Sequence, residues 1–336
     1  MSKHQTIIEI LQRAGAAVRD KVYAQLRQQD IEVLSTVYRE GKEDTIYQID
    51  RQVEEILLPV LEQEAERVGG IFLMAEGIGD AETGIFLGVK KHQNPAWAII
   101  IDPIDGTRGI MYNKRPGFFL AGAAPWKPSL RLSDIEAALM TELPTGKMLF
   151  SDCLFAINGK GAHGLRYNLV SGHTENLLFR PSQATHLRGG FAQIARFFSP
   201  GREILARIDD ALAEILYPDT LSGRNMILED QYISTGGQLY EMLMGHDRFV
   251  ADIRDLLYAR LAAEGKPKSH TCHPYDICMV LIAKEAGLEI TDSRGRPFDA
   301  PFNLLDEVGW IAYANKEIRH AVEPVLLKLM KKEGLI

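Results

Sequence analysis

The sequence predicts a layered fold of α+β and α/β type, and three observations predict it. Two helical stretches stand at the N-terminus, a run of short apolar segments joined by turns follows, and helix-like and strand-like segments then alternate. From Thr6 to about Arg39 the apolar positions Ile7, Ile10, Leu11, Ala14, Val18, Val22 and Leu26 recur at helical spacing, and a second helix fits Asp50 to Arg67. After the glycines at 69 and 70 come "IFLMAE", "WAIIID", "FFLAGAAP", "IEAALMTEL", the turn "PTGK" and "MLFSDCLFAI". These read as a sheet rich in hairpins. Beyond about Asn168, "GGFAQIARF" reads as strand, "REILARIDDALAEIL" as helix, "QYIST" as strand, "GQLYEMLMG" as helix and "RFVADI" as strand. No repeat or low-complexity linker interrupts the chain. Two regions are therefore expected, 1–165 with the N-terminal helices and the antiparallel sheet, and 166–336 as an α/β domain.

Composition narrows the function classes. A net charge of −7 gives no basic surface for a nucleic acid polymer. No stretch reaches the roughly 18 uninterrupted apolar residues of a membrane span, and the first residues lack the pattern of a signal peptide. Cys153, Cys272 and Cys278 are an odd number without metal-type pairing, which points to a reducing cytoplasm.

The chemistry concentrates in "AWAIIIDPIDGTRGIMYNKRP". A strand carries Asp102 to its end, Pro103 discourages further pairing, and Gly106-Thr107 allows a tight turn into a helix whose first amides lack partners. Such a terminus attracts anions, yet two carboxylates beside it would repel one. A divalent cation resolves the conflict, held by Asp102 and Asp105 and touching a phosphate on the amides of Gly106 and Thr107. The plainer alternative is that Asp105 or Thr107 caps the helix. Likewise Asp276 fits an N-cap for a helix that Gly287 ends. "HTCHPYD", with His270, Cys272, His273 and Asp276, has the residue types of a zinc cluster, but Pro274 breaks the helical register and oxygen ligands elsewhere favour magnesium. "NGKGA" lacks the glycine spacing of a phosphate loop and is assigned to a surface turn.

Residues 97–116 resemble the D-P-I-D-G-T signature of the inositol monophosphatase family, magnesium-dependent and lithium-sensitive phosphatases related to fructose bisphosphatase. "FLMAEGIGD", "NGKGAHG", "STGGQLYEMLMGHDRFVAD" and "YDICMVLIAKEAGLEITD" resemble further islands of that family, in the same order. The resemblance implies a layered αβαβα sandwich of the sugar-phosphatase type and a homodimer. It implies one Mg²⁺ on Glu76, Asp102 and the carbonyl of Ile104, and a second on Asp102, Asp105 and Asp276. A third, weaker ion is implied near Glu76, with Mn²⁺ as a substitute. These ions would bridge the phosphate and activate a water, which Thr107, supported by Asp44, would orient. Glu76, Thr107 and Asp44 are thus the implied catalytic residues, and Gly106, Thr107, Arg108, Gly236, Gly237 and Asp252 the implied substrate-binding ones.

The departures bear on substrate. Tyr47 stands where the family usually has threonine, and Tyr275 replaces a tryptophan. Ala251 falls where the family places a glutamate for inositol hydroxyls, with Asp252 next to it, able to restore the acceptor through a one-residue bulge. The segment 253–275 is unusually long. Folded over the pocket as a lid, it would bring Lys266, Lys268, His270 and His273 toward Arg108; otherwise it is a solvated surface helix with a basic tail. The expected activity is hydrolysis of a small phosphorylated metabolite, inositol monophosphatase-like. The alternatives are histidinol phosphate, a 3′(2′),5′-bisphosphate nucleotide or fructose 1,6-bisphosphate as substrate, or a metal-binding scaffold without turnover.

Overall fold

The computed structural model describes residues 2–28, 31–35, 37–40, 45–90, 93–218 and 227–336. Helix α1 (Lys3–Gln28) and helix α3 (Gln48–Ala65) flank a short α2 (Ile31–Leu34) and a two-stranded antiparallel hairpin, β1 (Val37–Glu40) with β2 (Thr45–Tyr47). The first helix ends at Gln28, and α2 and β1 stand where the periodicity suggested one helix to about Arg39. An eight-stranded sheet follows from β3 (Ile71–Ala75), β4 (Ile85–Leu87), β5 (Trp97–Asp105), β6 (Gly117–Pro125), β7 (Ala137–Leu143), β8 (Phe150–Ile157), β9 (Ala162–Asn168) and β10 (Thr174–Asn176). Its order is β10-β9-β8-β7-β6-β5-β3-β4, antiparallel throughout except for β3 beside β5. The one-turn helix α4 (Thr107–Met111) leaves the end of β5.

The second half supplies β11 (Gly190–Ile194), α5 (Arg202–Leu216), β12 (Ile227–Leu228), α6 (Thr235–Leu243), β13 (Asp247–Asp252), α7 (Arg254–Ala263), α8 (Val280–Glu285), β14 (Glu289–Asp292), β15 (Trp310–Tyr313) and α9 (Lys316–Lys332). Its five-stranded sheet runs β12-β11-β13-β15-β14. "QYIST" is not a strand: it is an extended loop that ends at Ser234, whose side chain caps α6.

Side-chain alternation makes the layers. Ile99, Ile101, Phe119 and Leu139 point from one face of the large sheet into α1 and α3, while Ile100, Phe118, Leu120 and Met140 point from the other into α6 and α8. Val250, Trp310 and Ala312 of the smaller sheet close that middle layer, and Phe249, Ala251 and Tyr313 turn outward to α5, α7 and α9. The order is helix, sheet, helix, sheet, helix, as expected.

The helix within segment 253–275 is not a solvated one, and His270, one of the four basic side chains expected near Arg108, meets it at 3.4 Å. Leu256, Leu257, Tyr258 and Leu261 of α7 are buried in the outermost layer. Lys266 pairs with Glu264 at 2.6 Å and Lys268 with Glu307 at 2.6 Å, so neither is directed to a pocket as a lone cation. The "NGKGA" turn joins β8 to β9, and its Gly159 and Gly161 amides donate to the Glu285 carboxylate at 2.7 Å each.

Candidate metal centre

Strand β5 is buried along all nine residues and does not stop at Asp102. It continues past Pro103 through an irregularity in which Asp102 lies opposite Leu120 and Asp105 opposite Phe118. Three steps on β5 thus match two on β6, a bulge of one residue, where proline's missing N–H costs no ladder bond. In an unbroken strand, residues 102 and 105 would face opposite sides. The extra residue puts both aspartates on the face of Phe118 and Leu120, toward the middle layer.

Asp276 reaches the same place from the segment before α8. One carboxylate oxygen from each of Asp102, Asp105 and Asp276 lies within 4.8 Å of the others. Among the described residues this is the one His/Cys/Asp/Glu group placed to hold a metal ion, so the zinc cluster does not form. Asp276 is not the cap of α8, which begins at Val280 after Met279; its Oδ2 instead accepts the His273 N–H at 2.6 Å. Nor does Asp105 or Thr107 cap α4, which starts from Gly106 with φ +82° and no side-chain cap. Glu76 follows β3, its N–H bonded to the Ile101 carbonyl at 3.1 Å, and its carboxyl meets that of Asp102.

Electrostatics makes this cluster costly as it stands. Burial first, then the charges of Glu76, Asp105 and Asp276, push the Asp102 carboxyl well above the usual carboxylate range. Burial and Asp276 raise Asp105 to about 7, although Ser234, Gly236 and Thr235 donate hydrogen bonds to it. The Ser234 hydroxyl and the Gly236 amide stand 2.6 Å from Asp105 Oδ2, and Ser234 Oγ in turn accepts the Gly237 N–H at 2.8 Å. Four converging carboxyls without nitrogen or sulfur donors among them fit a hard divalent cation.

The remaining expected site residues fall into three groups. Thr107 donates its hydroxyl to the Ile104 carbonyl at 2.8 Å, beside the aspartates, whereas Asp44 lies outside the described residues. Gly236 and Gly237 serve the centre from behind: a Cβ on Gly236 would stand 2.8 Å from Asp105 Oδ2, and one on Gly237 would strike the Tyr232 ring. Asp252 is buried, and Arg254 grips both its oxygens at 2.8 and 2.6 Å. The bulge expected there is absent, since β13 pairs with β15 in regular register through Ala251 and Asp252. His273 stacks on Tyr275 at 5.2 Å, 3.6 Å from Asp276, and His270 meets Arg108 at 3.4 Å. Sequence reasoning missed Ser234, whose signal was a serine before a helix start, and Arg254, which had none.

Residues 3–114 match the model of the inositol monophosphatase family. That match covers about one third of the chain. No curated protein matches it significantly. Among solved structures, fructose-1,6-bisphosphatase of Leishmania major is similar with a TM-score of 0.66 at 13% identity, over 96% of this chain and 94% of that one. The extragenic suppressor protein suhB of Bartonella henselae gives 0.62 at 15%, over 96% and 98%. An inositol monophosphatase of Anabaena gives 0.58 at 12%, over 99% and 97%. At these identities the likeness is one of fold, and the inositol monophosphatase fold spans nearly the whole chain.

Proposed function

We propose that the chain is a Mg²⁺-dependent phosphomonoesterase acting on a small phosphorylated metabolite, within a superfamily of phosphatases. The observation that carries this reading is the convergence of Asp102, Asp105 and Asp276, with Glu76 against Asp102. Glu76, Asp102 and the Ile104 carbonyl would hold one ion, and Asp102, Asp105 and Asp276 the other. When bound, such ions neutralise phosphate charge and acidify the attacking water. Thr107 orients that water through its hydroxyl, and the amides of Gly106 and Thr107 bind a phosphate oxygen. Ser234 and the start of α6 hold Asp105 in place against its neighbours' repulsion. No covalent phosphoenzyme is required. Lithium inhibition, a homodimer and a cytoplasmic location complete the reading, the last supported by the free thiols of Cys153, Cys272 and Cys278.

Asp102→Asn tests the assignment. Asparagine keeps an oxygen for the Ile104 N–H, which Asp102 Oδ1 accepts at 3.0 Å, while removing the one side chain proposed to touch both ions. Mg²⁺-dependent turnover should fall by roughly 100-fold or more, with the metal-free protein at least as heat-stable as before. Nearly normal turnover would refute the two-ion assignment.

A further inference from the structure

A lateral row of side chains across the large sheet joins the metal centre to the buried Asp152. Asp105 of β5 lies opposite Phe118 of β6, and Phe118 lies opposite Glu142 of β7. Asp152 of β8 gives its N–H to the Glu142 carboxylate at 3.2 Å and lies opposite Arg166 of β9. With neighbouring strands about 4.8 Å apart, Asp105 and Asp152 are separated by roughly 14 Å. They do not touch, and Phe118 and Glu142 stand between them.

Helix α6 bridges that distance. Its first residues sit on Asp105, which accepts the Ser234 hydroxyl and the Gly236 amide at 2.6 Å each and the Thr235 amide at 3.3 Å. Tyr240 stands one turn beyond Gly236, on the same face of the helix. Its ring centroid lies 5.4 Å from that of Phe118, and its hydroxyl donates to Asp152 Oδ2 at 2.7 Å. Asp152 is itself fixed, because Arg166 donates Nε and Nη2 to its two oxygens at 2.8 and 2.7 Å. The near end of the helix is equally close to the sheet: a Cβ on Gly236 would stand 2.8 Å from both Asp105 Oδ2 and Leu120 Cδ2. A small slide or rotation of α6 would therefore part Ser234 from Asp105. Apolar packing of Tyr240 on Phe118 resists such a slide weakly, since it has no direction, whereas a hydrogen bond to a buried carboxylate is directional.

We propose that Tyr240 and Asp152, braced by Arg166, are positioning residues of the metal centre, fixing α6 so that Ser234 holds the Asp105 carboxylate ready for a divalent cation. The proposal rests on the metal-dependent reading above, and calorimetric Mg²⁺ titration separates the two. Tyr240→Phe keeps the ring on Phe118 and removes the hydroxyl. It should weaken Mg²⁺ binding about tenfold, the low end for a group that acts through a ligand's hydrogen-bond partner. In a Ser234→Ala background the same change should cost less than about twofold, because both substitutions cut one path. Val322→Ala, a core truncation in α9 remote from α6, should lower the melting temperature and leave Mg²⁺ affinity unchanged. Unchanged Mg²⁺ affinity in Tyr240→Phe, an equal loss with and without Ser234, or the same loss in Val322→Ala would overturn the anchor and leave the phosphatase reading standing. A wild-type protein that takes up neither Mg²⁺ nor Mn²⁺ would overturn the two-ion centre, and the anchor with it.

Discussion

Asp105 is a carboxylate surrounded by donors that still sits near 7, because burial and Asp276 outweigh three hydrogen bonds. That balance makes Ser234 the most informative neighbour. Its hydroxyl donates to Asp105 at 2.6 Å and accepts from Gly237, so one side chain both orients a candidate ligand and caps α6. Ser234→Ala should weaken Mg²⁺ binding by about 10- to 100-fold, measured calorimetrically, while costing about 1 kcal/mol of stability. Unchanged Mg²⁺ affinity would show that the hydrogen bond matters to the helix alone. Asp102 and Asp105 were legible in the sequence because proline and glycine punctuate the pair, whereas the pattern around Asp276 alone suggested a helix cap and only the family resemblance suggested a ligand. Ser234 looked like part of a strand, since "QYIST" is rich in β-formers, and the local signal of a serine before a helix start was overridden by that pattern.

At the scale of elements, the sequence read correctly that an apolar strand delivers the aspartates, but not that the strand survives Pro103. Register explains the difference: the bulge is paired against β6, a partner invisible to local pattern. Segment 253–275 misled for the same reason. Its helix is packed by α5 and α9, which periodicity in α7 alone does not reveal. A second polar junction ties α6 to the large sheet. Arg166 of β9 and Tyr240 of α6 both donate to the buried Asp152 of β8, at 2.7 to 2.8 Å, and Glu142 of β7 lies beside it. Burial, then the Asp152 charge, raises Glu142 from 4.5 to about 8. A carboxyl raised on folding stabilises the protein fully below its unfolded pKa and loses that contribution as pH rises through the folded one. Thermal stability should therefore decline between about pH 4.5 and pH 8, and Glu142→Gln should make that decline shallower. Parallel stability profiles for the two proteins would contradict the assignment.

Across the whole molecule, five layers place the carboxylates where the large sheet meets the middle helices, and the smaller sheet closes that layer from the other side. The layering was legible because helix-period and strand-period segments occur in blocks, and the family resemblance ordered them. The seating of Asp252 under Arg254 was not, since an ion pair between a strand end and a helix start leaves no periodic trace. The proposed homodimer predicts a light-scattering mass near twice 37.6 kDa, and a mass of one chain would refute it. The central claim is that the clustered carboxylates make this chain a metal-dependent phosphomonoesterase. Inorganic phosphate release from a panel of sugar, inositol and nucleotide phosphates, with Mg²⁺ and again after EDTA, tests it most directly. The account predicts release from at least one substrate that EDTA abolishes and added Mg²⁺ restores. A folded protein that releases no phosphate from the panel with Mg²⁺ or Mn²⁺, or that works equally well in EDTA, would contradict it.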